Sequence, residues 1–262
     1  MSIIRRFLGM SVSDAASKTF AIDPSTLAAA QRVEREGHCA CLASRTKKGT
    51  PSIPNLHEDA QDITAPGWHL LLELVHSARA SSSSTFEPLA TIPADQWSEV
   101  ITLPPSISDL KTVATLRLYG SHLRRLPPEV GRMTALSELD VYTSYSLHWL
   151  PYEITRCSAL NTSRVSTRAL YGNIKTRLPF PRLSSPVDTL MPQTCSVCDQ
   201  PFREGGVQVL WTTQRVATDV VPLLIHSCSP ECTSIIPDAP EGYYARPHRG
   251  GGGVGMPDSD FD

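Results

Sequence analysis

Seven cysteines occur among the 262 residues, and four of them form two close pairs. Cys195 and Cys198 stand in TCSVCDQPF, Cys228 and Cys232 stand in HSCSPECTSII, and 29 residues separate the pairs. Four thiolates at this spacing can close a tetrahedral zinc site with no open position, an arrangement that folds a chain rather than catalysing a reaction. The same residues admit other readings: two separate, weakly buried pairs, a disulfide, or a thiol nucleophile beside His226. A disulfide framework belongs to small chains in oxidising compartments, and a chain of this length with seven cysteines does not require one. A thiolate with three matching partners is poorly placed to act as a nucleophile. His226 is either a substitute ligand or a strand residue, and four available thiolates favour the strand reading.

The segment between the pairs must bring them together. VQVLWTT and DVVPLLIHS read as two strands joined by TQRVAT, which gives a hairpin with one cysteine pair at each end. Ser229 can cap a short helix with Pro230 at its first position, placing Cys232 in the first turn, where the helix dipole favours a thiolate. Knuckle, hairpin and a ligand pair at a helix start resemble the treble-clef zinc fingers, and CSPEC is similar to the Cys-Ser-x-x-Cys signature of their Phe-Cys-Ser type. The resemblance covers about residues 192 to 240 and implies that Cys195, Cys198, Cys228 and Cys232 are metal ligands with zinc as cofactor. Ser227 stands where that type has an aromatic residue, and Pro237 limits the closing helix to about two turns.

Upstream, the chain repeats itself. Leu103-Pro104-Pro105, Leu126-Pro127-Pro128 and Leu150-Pro151-Tyr152 recur at intervals of 23 and 24 residues. Ile107, Val130 and Ile154 keep the same phase, as do Leu110, Met133 and Cys157, then Leu118, Val141 and Val165. A fixed period over several registers signals a repeat architecture in which each unit buries its apolar face against the next. The pattern, from about residue 101 to 172, resembles the leucine-rich repeat family in its short, LP-containing form. That resemblance implies a curved solenoid with a parallel sheet on the concave side. The family carries an Asn after each strand that bonds neighbouring backbones, and the matching positions here are Ser121, Ser144 and Arg168. Cys157, in phase with Leu110 and Met133, reads as a small buried hydrophobe.

With Leu116 and Leu118 inward, period-two alternation turns Thr115, Arg117 and Tyr119 onto the concave face. The same register adds Glu138, Asp140 and Tyr142, then Arg164, Ser166 and Arg168. Arginine and tyrosine dominate binding hot spots, so this face is the expected surface for another protein. Glu138 and Asp140 point the same way, about 7 Å apart by strand rise, but nothing else in the sequence supports acid-base chemistry on a sugar.

One stretch spells an enzyme motif. HCACLASRT, residues 38 to 46, resembles the phosphate loop of the protein tyrosine phosphatases, which implies Cys39 as nucleophile and Arg45 as phosphate clamp. No glycine lies between them to turn loop amides inward, and a charged helix precedes the loop where that family has a buried strand.

The elements that flank the repeats follow from local signals. Asp23, Pro24 and Gly37 frame a helix over about 24 to 36. PGWHLLLELVHSARA places Trp68, Leu71, Leu72 and Val75 on one face of a second helix, and ADQWSEV suggests a short third. These last two, over about 68 to 79 and 94 to 100, are expected to cap one end of the repeats, and residues 171 to 190 the other. RGGGGVGMPDSDFD has no apolar face to bury and is expected to be disordered.

Composition sets the remaining bounds. The chain is 40% hydrophobic with a net charge of −2, and no apolar run approaches the roughly 18 residues that cross a bilayer. MSIIRRFLGM has only a short apolar patch, which argues against a secretory leader, so the expected compartment is the cytoplasm. The charge is unevenly spread: 9 Lys and Arg against 11 Asp and Glu in residues 1 to 100, 11 against 5 in 101 to 185, and 4 against 10 in 186 to 262. A basic middle biases association toward acidic partners. Nucleic acid is the salt-sensitive alternative, although its basic residues are dispersed around the repeat. The expectation is therefore an α/β fold in four parts: a helical N-terminal region and cap over 1 to 100, a short leucine-rich-repeat solenoid with its capping segment over 101 to 190, a four-cysteine zinc finger over 191 to 245, and a tail over 246 to 262. The expected function is a non-enzymatic protein-interaction scaffold.

Overall fold

In each repeat the Leu-Pro pair sets the turn. Pro104, Pro127 and Pro151 hold φ near −70° with extended ψ, and each leads into a 3-10 turn: Pro105–Asp109, Pro128–Arg132 and Tyr152–Arg156. Proline's ring fixes that φ in advance, so the same corner forms three times. Leu110, Met133 and Cys157 then close each turn with φ between −73° and −80° and ψ between 62° and 82°, the inverse γ conformation that feeds a strand.

The computed structural model describes residues 53–174, 178–202 and 206–254. The helix expected over 24 to 36 and the HCACLASRT loop lie outside them. The elements in chain order are α1 (Pro66–Ala80), β1 (Thr85–Phe86), α2 (Ala94–Trp97), β2 (Thr115–Arg117), β3 (Glu138–Val141), β4 (Leu150–Pro151), β5 (Thr162–Val165), β6 (Gln208–Val216), β7 (Asp219–Ser227) and α3 (Pro230–Ser234), with the 3-10 turns between. The fold is α/β. One parallel sheet runs β1-β2-β3-β5, and a second sheet runs β4-β7-β6. In the first sheet Thr115 pairs with Glu138 and Glu138 with Thr162. Those offsets of 23 and 24 residues equal the sequence period.

The strands bury Leu116, Leu118, Leu139 and Val141 with Ile107, Val130 and Ile154 from the 3-10 turns in one continuous core. Trp68, Leu71 and Val75 of α1 and Trp97 of α2 belong to it. Leu72, expected on the same helical face, is 37% exposed, because the buried stripe follows positions 68, 71 and 75 and leaves 72 at its margin. Glu99 closes the start of α1 by accepting from the Gly67 N–H at 2.8 Å.

Val216, Val221 and Leu223 of the β6–β7 hairpin share that same core. The packing therefore crosses residue 190, where two units were expected to part. Strand β4 pairs in parallel with β7, Leu150 against Leu223 and Pro151 against Leu224. At the outer edge of β5 the Ser163 N–H donates to Thr218 Oγ1 at 3.1 Å, and that hydroxyl donates to Ser163 O at 2.8 Å. The hairpin turn thus stands where the next strand of the sheet would be. The first hairpin strand extends into the TQRVAT segment expected as a loop, as far as Val216, while β7 begins at Asp219 as expected, and the turn tightens to Ala217 and Thr218 with Ala217 at φ 52°.

Residues 171 to 190, expected to cap the stack, pack chiefly elsewhere. Tyr171, Leu178, Phe180, Leu183 and Leu190 join Trp149, Val209, Trp211 and Leu224 in a second, aromatic cluster. The expected disordered tail is corrected for its first part. His248 exchanges backbone hydrogen bonds with Trp211 at 2.7 and 2.9 Å, Leu183 N–H donates to Arg249 O, and Gly251 N–H donates to Phe180 O. The segment thus lies along β6 by backbone pairing rather than by an apolar face. Gly250 sits at φ +64° against the Pro181 carbonyl, with no room for a Cβ, which is a backbone requirement rather than a mark of disorder.

Candidate metal centre and sheet face

The first cysteine pair sits in a tight knuckle. Cys195 N–H donates to Gln200 O at 2.9 Å, Asp199 N–H donates to Cys195 O at 3.0 Å, and Asp199 takes a left-handed φ of 57°. The amides of Val197 and Cys228 both point at Cys195 Sγ, each at 3.4 Å. The second pair follows β7 directly. Ser229 caps α3 by accepting from the Cys232 N–H at 3.2 Å, with Pro230 in the first turn. The helix is five residues long, within the two turns allowed by Pro237.

Four Sγ atoms, from Cys195, Cys198, Cys228 and Cys232, lie within 4.8 Å of one another and could hold a metal ion. Cys198 and Cys228 are 3.7 Å apart and Cys228 and Cys232 are 3.6 Å apart. A tetrahedron with metal–sulfur bonds of about 2.3 Å has edges of about 3.8 Å. All four thiols are free, and these separations exceed the roughly 2.05 Å of a disulfide bond. Burial pushes the Cys195 thiol up, but the amides of Cys198, Val197 and Cys228 outweigh it and hold the group down at about 7. Desolvation and the three neighbouring cysteines push Cys228 up to about 12. Four thiolates at this range repel one another unless a cation sits between them.

Several residues tie this centre to the repeats. Arg156, at the end of the third 3-10 turn, donates from Nη2 to the carbonyls of Cys195 and Ser196, both at 2.9 Å, and from Nη1 to Asp199 Oδ1 at 2.9 Å. Ser196 N–H donates to His226 O at 2.8 Å, and His226 N–H donates to Ser196 Oγ at 2.9 Å. His226 is therefore a buried strand residue behind the knuckle and stands outside the four-sulfur cluster. Sequence reasoning missed Arg156 and Ser196, since their partners lie 30 to 43 positions away and no spacing rule links them.

The nine residues expected on the concave face fall into two groups. Arg117, Asp140 and Arg164 align across β2, β3 and β5. Arg164 Nη1 pairs with Asp140 at 3.1 Å, and Arg117 Nη1 pairs with Glu87 of the preceding segment at 3.2 Å. Burial pushes the Asp140 carboxyl up even with Arg164 beside it. The Tyr119 and Tyr142 ring centroids lie 5.8 Å apart with the planes tilted by 40°, and the Arg164 guanidinium lies 5.3 Å over the Tyr142 ring. Glu138 accepts from the Thr115 hydroxyl at 3.3 Å. Tyr119, Asp140 and Ser166 are buried, while Arg117, Glu138, Tyr142 and Arg164 are partly exposed.

The third strand departs from the expected register. β5 ends at Val165, Ser166 turns inward to accept from the Thr143 N–H, and Arg168 lies exposed in a 3-10 turn beyond the strand. At the positions where the resemblance to leucine-rich repeats would place Asn, Ser121 and Ser144 form a hydroxyl pair at 2.7 Å, and Ser144 donates to Leu118 O at 3.1 Å. Since Ser144 gives its proton to that carbonyl, Ser121 donates to Ser144. The two serines thus link neighbouring turns through their hydroxyls, and Arg168 does not continue the row.

Comparison with known protein families and with curated proteins finds no match for this chain. Among the described residues no helix is long and apolar enough to cross a membrane.

Proposed function

We propose that this protein is a non-enzymatic interaction scaffold, a short leucine-rich-repeat solenoid onto which a treble-clef-like zinc finger is built. The observation that carries the reading is the row formed by Arg117, Asp140 and Arg164 with Tyr142 beneath a guanidinium. Its ion pairs and ring contacts hold the side chains in place before a partner arrives, so little rotamer entropy remains to be lost on binding. The basic excess of residues 101 to 185 favours an acidic protein surface as the partner. Zinc, held by Cys195, Cys198, Cys228 and Cys232, folds the knuckle and α3 and does no chemistry on a substrate. The same cytoplasmic setting keeps its thiols reduced.

A photo-crosslinking amino acid at Tyr142 tests the face. The expected outcome is one dominant crosslinked protein, lost when Arg164→Glu and Arg117→Ser are added while circular dichroism stays unchanged. An undiminished crosslink in that variant rejects the face as the binding surface.

A further inference from the structure

On the Leu-Pro turn side of the repeats, away from the sheet face, lies a cavity of about 310 Å³. Four buried polar atoms among its lining residues have no hydrogen-bond partner: Arg125 Nη1, Trp149 Nε1, Glu153 Oε1 and His226 Nε2. The four residues are between 3% and 6% exposed. Native proteins rarely leave such groups unsatisfied, and four sharing one cavity call for an occupant.

The repeat explains how they converge. Arg125 and Trp149 each stand immediately before a Leu-Pro pair, one period apart, so they are neighbours in the stack. Pro151 pairs with Leu224 in parallel register, and Glu153 and His226 each lie two residues beyond that pair. The first of these two pairs offers donors, a permanently charged guanidinium and an indole N–H. The other offers a carboxyl group and an imidazole. Arg125 and Glu153 make no ion pair with each other, and apolar Leu126, Pro127 and Leu224 line the same space.

We propose that this cavity binds a small linear zwitterion of the ω-amino acid or dipeptide kind, its carboxylate received by Arg125 and Trp149 and its ammonium group by Glu153. The apolar lining takes the chain between the two charged ends. Burial pushes the Glu153 carboxyl up, and Ser196 of the knuckle, next to Cys195, acts in the opposite direction. A ligand lacking either charge leaves one buried group unpaired, which is the basis of selectivity at such sites.

Titration calorimetry on the purified full-length protein tests this with 6-aminohexanoate, hexanoate, hexylamine and alanyl-leucine. The expected result is binding of 6-aminohexanoate or alanyl-leucine at least about tenfold tighter than hexanoate or hexylamine, and whichever of the first two binds better identifies the source. Arg125→Gln should abolish the preference over hexylamine, and Glu153→Gln the preference over hexanoate. Because either variant could unsettle the fold, the Trp149 indole N–H resonance of the unaltered protein provides a second readout, assigned with Trp149→Phe. A shift of that resonance on adding the preferred zwitterion supports the site. Equal affinity for all four probes, no binding at millimolar concentration, or an unmoved Trp149 signal at saturation overturns it.

Discussion

In the repeat sheet a strand amide finds its partner in the next repeat, and the side chains beneath form a continuous apolar core from Trp68 to Leu223. In the knuckle, amides point at sulfur, carbonyls are bridged by Arg156, and among the described residues the local core is Leu210, Ile225 and Ile236 with Tyr152 and Val197 packed against it. The difference shows two ways to offset the entropy of ordering a chain. The repeats do so by burying area. The knuckle and α3 bury less, and in the proposed reading a cation shared by four ligands supplies the rest. The hairpin lies between the two regimes: Val221 and Leu223 sit in the repeat core while Ile225 faces the small one.

That contrast breaks most visibly when the ligands are removed. Cys195→Ser combined with Cys198→Ser discards a metal whose binding is worth on the order of 10 kcal/mol in isolated fingers. Amide exchange should become fast over residues 193 to 200 and 228 to 236 while β2 and β3 keep their protection. Equal loss of protection throughout would show that the two regions fold as one unit. Leu139→Ala, at 1% exposure beneath β3, should cost about 2–5 kcal/mol by urea unfolding. The loss should extend to the hairpin, because Val216 and Val221 share its core.

Acid should act through buried histidines in the repeats and beside the aromatic cluster along β6. Burial lowers His148 and His248 from 6.5 to about 4. The unfolded chain therefore binds more protons between those values, so stability is full above pH 6.5 and falls as pH drops toward 4. Each ring accounts for on the order of 3 kcal/mol by linkage. In His148→Gln the melting temperature should depend less steeply on pH across that window. The smallest effect is expected at the serine ladder: Ser144→Ala should cost about 1 kcal/mol in chemical unfolding, because it leaves Leu118 O and Ser121 without their shared hydroxyl.

How far the fold could be read from the residues depended on whether the signal was local. The 23- and 24-residue recurrence of Leu-Pro foretold the pairing register itself, since proline presets the turn and leucine phase presets the strand. The two cysteine pairs were equally legible because ligand geometry restricts spacing. Ser163 and Thr218 were not: two ordinary hydroxyl residues replace a strand edge, and only their proximity gives them meaning. The segment at His248 carried no apolar pattern because it is held by backbone hydrogen bonds. The convergence of Arg125, Glu153 and His226 was not legible because the cavity joins positions up to about 100 residues apart, across two sheets.

Metal content tests the central claim most directly. Elemental analysis of the purified, reduced, full-length protein should find close to one equivalent of zinc per chain, released when a thiol-specific mercurial titrates the cysteines. Less than about half an equivalent, with the amides of residues 193 to 200 still protected from exchange, would contradict a knuckle folded by metal.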